Sequence, residues 1–224
     1  MTPTPEQRPD PVVAVLGGTG DQGRGLARRL AASGLPVVLG SREEARAQAA
    51  AAELADGELS VSGANNAVAA EKGDVVVVAV PWSGHRALLE QLAPALAGKI
   101  VIDCVNPLGF DAHGPFALPV EEGSAVEQAA AVLPESRVVG AFHHVSAALL
   151  LAPDVTAIET DILVVGDDRD AVELVIDLAG RIPGMRGVYA GRLRNASQVE
   201  AMTANLIAIN RRYRAQAGLR VTGV

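Results

Sequence analysis

The chain has 224 residues, a formal net charge of −7, a single cysteine, and 49% hydrophobic against 20% charged residues. This composition is typical of a globular protein and excludes extensive disorder, an internal disulfide framework and a cysteine-based zinc site. No apolar run reaches the roughly 18 residues that span a bilayer, no secretory signal opens the chain, and the acidic balance argues against nucleic acid, so we expect a cytoplasmic protein that binds neither membranes nor nucleic acids.

Strands and helices alternate through the first half of the chain, after a proline-rich segment over residues 1–10 that we expect to be a flexible tail. Apolar runs rich in β-branched residues predict strands at 12–16, 37–39, 59–62, 75–80 and 99–103. Helical spacing of apolar residues predicts helices at 22–32, 43–54, 65–71 and 84–96. Strand, helix, strand is the pattern of a parallel sheet.

The second half continues this pattern less regularly. A long loop at 106–122 is followed by a helix at 125–133, a strand at 138–142, an apolar segment through 151, a strand at 162–165, a helix at 170–181, a short strand at 187–189 and a terminal helix from about 195. We therefore predict an α/β, Rossmann-type fold, a mostly parallel sheet with helices on both faces. A main, Rossmann-type domain would cover residues 11–145, and a smaller helical or α+β unit over 146–224 would pack tightly against it.

A glycine-rich segment, GGTGDQG at 17–23, lies between the first predicted strand and the first predicted helix. It contains the spacing G-x-G-x-x-G. Gly18 is expected to permit the tight turn, Gly20 to let the backbone approach a pyrophosphate, and Gly23 to let helix and strand pack closely. The helix N-terminus would supply free N–H groups to the pyrophosphate. This context predicts dinucleotide binding, with a structural turn that binds no ligand as the alternative.

The residues after the second predicted strand indicate which dinucleotide is bound. An NAD site would have Asp or Glu there to hold the ribose 2′-hydroxyl, but this chain has Ser41 and Arg42. A hydroxyl and a guanidinium suit the 2′-phosphate of NADP, and Arg46 lies one helical turn further on. Thr19 in the glycine loop would add a second hydroxyl. The sequence therefore favours NADP over NAD.

Polar and aromatic residues also follow three later strands: Trp82, Asn106 and the pair His143-His144. Because ligands of open α/β sheets lie beyond the carboxyl ends of the strands, these residues are candidates for the nicotinamide side of the cleft. Covering the core is the alternative for Trp82, and a structural role is the alternative for the histidines. Cys104 is expected to be a small buried side chain, and no metal-ligand spacing is present.

The chain has no Ser–Tyr–Lys arrangement of the short-chain reductase kind. Reducing a carbonyl normally requires a positioned acid, whereas hydride transfer between two redox cofactors requires little beyond alignment.

The C-terminal part is strongly basic. From residue 192 onward the chain has six arginines and one acidic residue, which gives this part a net charge of +5 and leaves −12 for the rest of the chain. The arginines are Arg192, Arg194, Arg211, Arg212, Arg214 and Arg220. They form either a solvated face or a wall that binds an anion.

Six segments follow one another in a specific order: GGTGDQGRGLARRLAASG, VVLGSREEAR, VPWSGH, KIVIDCVNPL, VVGAFHHVSA and AGRLRNASQVEAMT. In these segments the sequence resembles the F420-dependent NADP reductases (F420H2:NADP+ oxidoreductases), from Val12 to the C-terminus. The resemblance implies NADP(H) and coenzyme F420 as cofactors, a homodimer, and a deazaflavin in the groove between the two domains. It implies reversible, direct hydride transfer between C4 of the nicotinamide and C5 of F420, by cofactor alignment and without a catalytic residue. The anionic F420 tail is then a candidate ligand for the terminal arginines.

The resemblance also implies roles for individual residues. NADP contacts are implied for Thr19, Gly20, Asp21, Gln22, Ser41, Arg42, Arg46 and Trp82. His143 and Ala147 would lie near the nicotinamide, and Ser197 and Thr203 near F420. The sequence departs from the family pattern at His144 and Ser146, where the family has Thr and Pro. An NADPH-dependent imine or small-carbonyl reductase and a non-catalytic NADP(H) redox sensor remain alternatives on the same fold.

Overall fold

The structure is a computed structural model that describes residues 10–55 and 59–224. Residues 1–9 of the predicted tail lie outside the described residues, whereas Asp10 forms an ion pair with Arg181 at 2.6 Å. The strands are β1 (Val13–Leu16), β2 (Val37–Ser41), β3 (Val61–Asn65), β4 (Val75–Val78), β5 (Ile100–Asp103), β6 (Leu108–Asp111), β7 (Gly114–Ala117), β8 (Arg137–Gly140), β9 (Thr160–Gly166) and β10 (Met185–Gly191). The α-helices are α1 (Asp21–Ala32), α2 (Glu44–Leu54), α3 (Asn66–Lys72), α4 (His85–Leu96), α5 (Ala125–Val132), α6 (Ala147–Leu151), α7 (Arg169–Gly180) and α8 (Ala196–Tyr213).

Eight strands form one sheet in the order β10-β9-β8-β5-β4-β1-β2-β3. The pairs from β3 to β8 are all parallel, β9 is antiparallel to β8, and β10 is parallel to β9. The predicted α/β fold with a mostly parallel sheet is confirmed. Because β1, β2, β4, β5 and β8 run the same way, their carboxyl ends meet at one edge of the sheet, where ligands of such folds bind.

Helices cover both faces of the sheet, and this explains the uninterrupted apolar strands. Alternate residues of β1 enter different cores: Val13 and Val15 pack with α1, α2 and α7, whereas Ala14 and Leu16 pack with α3, α4, α5 and α8. The same alternation holds in β4. Since β9 and β10 extend the sheet begun by β8, the division of the chain at residues 145 and 146 stays a prediction.

The prediction of a loop over 106–122 is wrong for part of its length, because β6 and β7 form an antiparallel hairpin there. Asp111 fixes the turn: its Oδ1 accepts the N–H of His113 at 2.7 Å and of Gly114 at 3.1 Å. Gly114 has a φ of 120°, which favours glycine. The strands are short and half-exposed, and they contain Gly and Pro, so no strand pattern appears in the sequence.

Several predicted bounds also differ from the structure: β3 covers Val61–Asn65 rather than 59–62, and β10 covers Met185–Gly191 rather than 187–189. β8 ends at Gly140, because the chain turns through Phe142, which has a φ of 62°. β4 ends at Val78 rather than at residue 80, and the apolar segment before residue 151 contains the short helix α6. Of the helices in the described ranges, none is long and apolar enough to cross a membrane.

Candidate cofactor-binding site

A cavity of about 390 Å³ lies at the carboxyl edge of β4, β5 and β8, and α8 forms its opposite wall. Its volume is within the range of small-molecule sites. The cavity brings together six residues predicted from the sequence: Gln22, Trp82, Asn106, His143, Ala147 and Thr203. Because these residues come from segments far apart in the chain, the fold assembles one site from the strand ends and α8.

The glycine loop beside this cavity contains three close approaches. The left-handed turn residue is Gly17, with a φ of 73°, and not Gly18 as the spacing suggested. A Cβ on Gly18 would lie 2.6 Å from Leu39, and one on Gly23 would lie 2.8 Å from the Gly17 carbonyl oxygen, so both positions require glycine for packing. At Gly20 the nearest such atom is 3.6 Å away, which is ordinary contact. Packing therefore leaves room at Gly20 for a ligand to approach the backbone.

Helix α1 begins beside this loop at Asp21 and has no side-chain cap. The N–H groups of its first turn are thus available to an anion. The Asp21 carboxylate is exposed and lies 3.6 Å from Arg24, so the backbone of Asp21 suits a phosphate and its side chain does not. Thr19 is half-buried in the loop itself.

Ser41 and Arg42 line a second cavity of about 550 Å³ at the end of β2. Ser41 is buried, and its Oγ accepts the N–H of Glu43 at 3.3 Å, while Arg42 is exposed. Arg46 does not line this cavity; it is exposed and lies 3.9 Å from a Glu43 oxygen. Asn66, which also lines the cavity, has a buried Oδ1 without a partner in the described part of the chain.

The cavity of Ser41, the glycine loop and the cavity of Trp82 lie in a row along one sheet edge, in the strand order β2, β1, β4, β5, β8. An extended dinucleotide has this shape, with its phosphates at the middle. Ser197 is not part of the row. It lines a separate cavity of about 310 Å³ with Pro107 and Gly123.

Two buried histidines follow the turn at Phe142. Burial lowers the pKa of His143 to about 4, so its ring is neutral at pH 7, and both ring nitrogens are buried without partners in the described ranges. Burial also lowers the pKa of His144 to about 4. Its Nε2 accepts the N–H of Leu163 at 3.3 Å, so the proton lies on Nδ1, which has no partner in the same ranges. Buried unpaired polar atoms cost about 1–3 kcal/mol each, and a polar ligand would remove that cost.

The backbone around these histidines is held by side chains from three other elements. Asn106 Nδ2 donates to the His143 carbonyl oxygen at 2.7 Å, and Thr203 Oγ1 donates to the same oxygen at 3.0 Å. Gln22 Nε2 donates to the Phe142 carbonyl oxygen at 3.1 Å. These contacts stabilise the left-handed conformation of Phe142, which is costly for a residue other than glycine.

Arg29 of α1 is a supporting residue that sequence reasoning missed. Its guanidinium donates to the carbonyl oxygens of Leu149 at 2.6 Å, Leu150 at 2.9 Å and Val155 at 2.6 Å. These contacts hold the C-terminal end of α6, the helix that begins at Ala147 in the cavity wall. The nearby signal was the arginine pair 28–29 between the apolar residues 25–27 and 30–32, but the partners of Arg29 lie about 120 residues away.

The terminal arginines do not line the main cavity. Arg220 pairs with Asp161 at 2.8 Å and with Glu159, so its charge serves the fold. Arg192, Arg194, Arg211, Arg212 and Arg214 are exposed.

Cys104 is buried as expected, and its thiol donates to the Val78 carbonyl oxygen at 3.1 Å. No group of three possible metal ligands occurs in residues 10–55 and 59–224.

Glu200 joins α8 to α5 below the cavity. Its carboxylate, 3% exposed, accepts the N–H groups of Ala125 at 3.0 Å and Val126 at 3.1 Å. Burial raises the pKa of Glu200 to about 7, although the two N–H groups and His85 act in the opposite direction. The folded protein therefore binds a proton at Glu200 more tightly than the unfolded chain, in which the pKa is near 4.5.

This shift predicts a pH-dependent contribution to stability. As the pH rises from about 4.5 to about 7, the unfolded chain loses the Glu200 proton first, so the free energy of unfolding should fall by on the order of 1 kcal/mol per pH unit relative to Glu200→Gln. Urea denaturation of both proteins across this range measures the difference. Glu173→Gln, at an exposed position on α7, is the control. A constant difference between wild type and Glu200→Gln would contradict the prediction.

Comparison with known proteins agrees with this architecture. Residues 12–107 match the family model described as NADP oxidoreductase, coenzyme F420-dependent. The F420-dependent NADP reductase of Methanothermobacter marburgensis is 40% identical over 222 residues, which cover 95% of this chain and 98% of that protein. This chain belongs to the F420-dependent NADP reductase family. The Methanocaldococcus jannaschii member of the family is 38% identical over 222 residues, which cover 95% of this chain and 98% of that protein.

Solved structures extend the likeness to the whole fold. A crystal structure from Arthrobacter sp. FB24, provisionally named an F420-dependent NADP reductase, has a TM-score of 0.80 at 28% identity, and the match covers 94% of this chain and 98% of that one. An imine reductase from Streptomyces aurantiacus has a TM-score of 0.58 at 19% identity, covering 89% of this chain and 61% of that one, and shares the fold alone.

Proposed function

We propose that this protein catalyses reversible hydride transfer between NADP(H) and coenzyme F420. The observation that carries the proposal is the main cavity, which lies between the carboxyl edge of the sheet and α8, next to an uncapped helix and a glycine loop. Its family relatives are named as enzymes that use both cofactors. When bound, NADPH supplies a hydride from C4 of the nicotinamide, and F420 accepts it at C5 of the deazaflavin.

The part of the site that binds NADP would extend along the sheet edge from β2 to β8. Ser41, Arg42 and Arg46 would bind the 2′-phosphate, because a hydroxyl and two guanidinium groups complement its charge. Gly18, Thr19, Gly20, Asp21, Gln22 and Gly23 would surround the pyrophosphate, chiefly through backbone N–H groups. This assignment accounts for the open space at Gly20 and the uncapped first turn of α1.

The ring half of the site would lie in the main cavity. Asn106 Oδ1 and both ring nitrogens of His143 are buried without partners in the part of the chain that the structure describes, and they fit a heteroaromatic ring that carries carbonyl and amide groups. Trp82 would bound the nicotinamide, and Ala147 would let a second ring approach closely. These residues would align the two rings and exclude water, and no side chain would transfer a proton.

The F420 side would be formed by α8. Thr203 lies in the main cavity, whereas Ser197 faces the neighbouring one, so a contact with Ser197 requires the cofactor to extend along the helix. The exposed arginines Arg211, Arg212 and Arg214 near the end of α8 are candidates for its anionic tail.

The direct test is a spectroscopic assay of the purified protein. Mixing it with NADPH and F420 should bleach the visible absorbance of the oxidised deazaflavin, and NADH should be a much poorer donor. No bleaching at any pH at which the protein is folded would refute the proposal. Oxidation of NADPH by an imine or a small carbonyl compound without F420 would instead indicate the other reductase class, and tight NADPH binding without any turnover would indicate a redox sensor.

We further propose a cytoplasmic homodimer in which residues 11–145 and 146–224 act as two units around F420. The dimer is supported by exposed apolar side chains on the β6–β7 hairpin and on α8, two elements that pack together: Phe110, Phe116, Ile209 and Tyr213. Large exposed apolar groups on neighbouring elements are typical of interaction surfaces. The molar mass in solution, measured by light scattering, tests the dimer.

A further inference from the structure

A buried polar cluster lies beneath the cavity and is not part of its lining. His85, the first residue of α4, and Asp103, the last residue of β5, are both fully buried. His85 Nε2 lies 2.5 Å from Asp103 Oδ2, and His85 Nδ1 lies 3.0 Å from Gln128 Oε1. Gln128 in turn donates from Nε2 to Glu122 at 3.1 Å, and Glu122 pairs with Arg86 at the surface.

The donors and acceptors of this cluster determine the protonation of His85. The Gln128 amide must direct its NH2 group to the Glu122 carboxylate, so its oxygen faces His85 Nδ1, and Nδ1 carries a proton. Nε2 faces a carboxylate whose other oxygen accepts the N–H of Val105 at 2.9 Å, as an ionised carboxylate would. An ionised Asp103 requires that Nε2 also donate, and His85 is then an imidazolium.

The charges around His85 agree with this assignment. Burial alone would lower the pKa of His85, but the charge and hydrogen bond of Asp103, the hydrogen bond of Gln128 and the charge of Glu200 together raise it above its usual value. These groups come from β5, α5 and α8, the elements that surround the ring.

The pair contacts two walls of the cavity. The Trp82 ring lies against the His85 ring, with a centroid distance of 5.5 Å and an angle of 34°. A cation at this distance from an indole is attracted to it. On the other side, Asp103 fixes the backbone at Val105, and the next residue, Asn106, donates to the His143 carbonyl oxygen.

We infer that His85 and Asp103 form a buried ion pair that positions Trp82 and Asn106, and through them the nicotinamide side of the cavity. They are positioning residues, because neither lines the cavity. A neutral pair of the same shape keeps the packing but loses the charge attraction that holds the His85 ring against Trp82, whereas removing His85 alone would leave the Asp103 charge uncompensated. The inference rests on the proposed function only in assigning the nicotinamide to this cavity.

Asp103→Asn tests the inference, because it removes the charge and keeps the shape. The new amide oxygen can accept the Val105 N–H, and the amide NH2 can donate to His85 Nε2, so the imidazole becomes neutral with its proton on Nδ1. In ¹⁵N NMR at pH 7, His85 should have two protonated nitrogens in the wild type and one in the variant. Emission from Trp82, the single tryptophan, should rise because a charged imidazole quenches indole fluorescence.

Binding measurements with two ligands distinguish a loss of positioning at the nicotinamide side from a general loss of structure. Asp103→Asn should weaken NADPH binding roughly tenfold, the equivalent of about 1.4 kcal/mol, and leave binding of 2′,5′-ADP, which lacks the nicotinamide, unchanged. The double variant His85→Gln with Asp103→Asn, which leaves no buried charge, should show the same selectivity, and it serves if Asp103→Asn does not fold. Asp74→Asn is the matched control, since Asp74 also accepts a backbone N–H, at 2.9 Å, but at an exposed site.

Three results would overturn the inference: a neutral His85 in the wild type at pH 7, unchanged NADPH binding in both variants, or equal losses for NADPH and 2′,5′-ADP. None of these measurements uses F420. If the absorbance assay with F420 fails while the NMR and binding results hold, the proposed reaction is refuted and the positioning pair stands.

Discussion

Asp161→Asn should lower the free energy of unfolding by roughly 2–4 kcal/mol. The Asp161 side chain is fully buried in β9, where it accepts hydrogen bonds from Arg186 at 2.7 and 3.1 Å, from Arg220 at 2.8 Å and from the Val221 N–H at 2.7 Å. An amide accepts through one oxygen only and directs its NH2 group at these donors. The substitution should therefore release the C-terminal segment from the strands that it crosses, and urea denaturation measures the loss.

Acid should remove the same stabilisation from the wild type. The hydrogen bonds of Arg186, with those of Val221 and Arg220, hold the pKa of Asp161 well below its usual value. Its contribution is therefore complete above a pH of about 4 and is lost as the pH falls toward the lowered pKa. The difference between wild type and Asp161→Asn should shrink over this acid range.

Asp168→Asn provides a matched control. Asp168 caps α7 by accepting the Ala171 N–H at 2.8 Å, and Asn caps helices about as well as Asp. This control should stay within about 0.5 kcal/mol of the wild type, as substitutions away from special features do. An equally small change in Asp161→Asn would show that the arginine cluster is solvated and does not contribute to stability.

Asp168 caps a helix through a neighbour in the chain, whereas Asp161 binds partners from distant segments, and only the first kind of contact can be predicted from the sequence. A cap, a buried strand or a glycine loop is encoded by neighbours in the chain, so β1, β4 and the loop at residues 17–23 could be located from the sequence alone. The convergence of Trp82, Asn106 and His143 was also predictable, because parallel strands place their carboxyl ends at one edge.

Other features depend on partners from distant segments. The ion pair of His85 and Asp103 joins a helix start to a strand end, and Arg29 binds carbonyl oxygens about 120 residues away. Phe142 adopts a left-handed backbone conformation that residues other than glycine rarely adopt, and no local sequence pattern predicts it. Such features are determined by packing, so sequence periodicity does not reveal them.

Arg42→Ala should raise the KM for NADPH by roughly 10- to 100-fold and leave the KM for NADH almost unchanged. Arg42 is exposed at the rim of the cavity that follows β2, with the buried Ser41 beside it, and none of the described residues that line this cavity is acidic. Its guanidinium is therefore free to bind a phosphate in a bidentate manner, and a charged hydrogen bond of this kind contributes about 1.5–3 kcal/mol. NADH lacks the 2′-phosphate, so its binding does not depend on this contact.

Two further variants make the result specific. Arg46→Ala should have a smaller effect, because Glu43 lies 3.9 Å from its guanidinium and competes for it. Arg137→Ala removes an exposed arginine at the opposite, amino-terminal edge of the sheet and should change neither KM. The effect of Arg42→Ala should also shrink as salt is raised, since ions screen exposed charges. Equal increases in KM for NADPH and NADH would show that Arg42 does not recognise the 2′-phosphate and that its loss disturbs the whole nucleotide site.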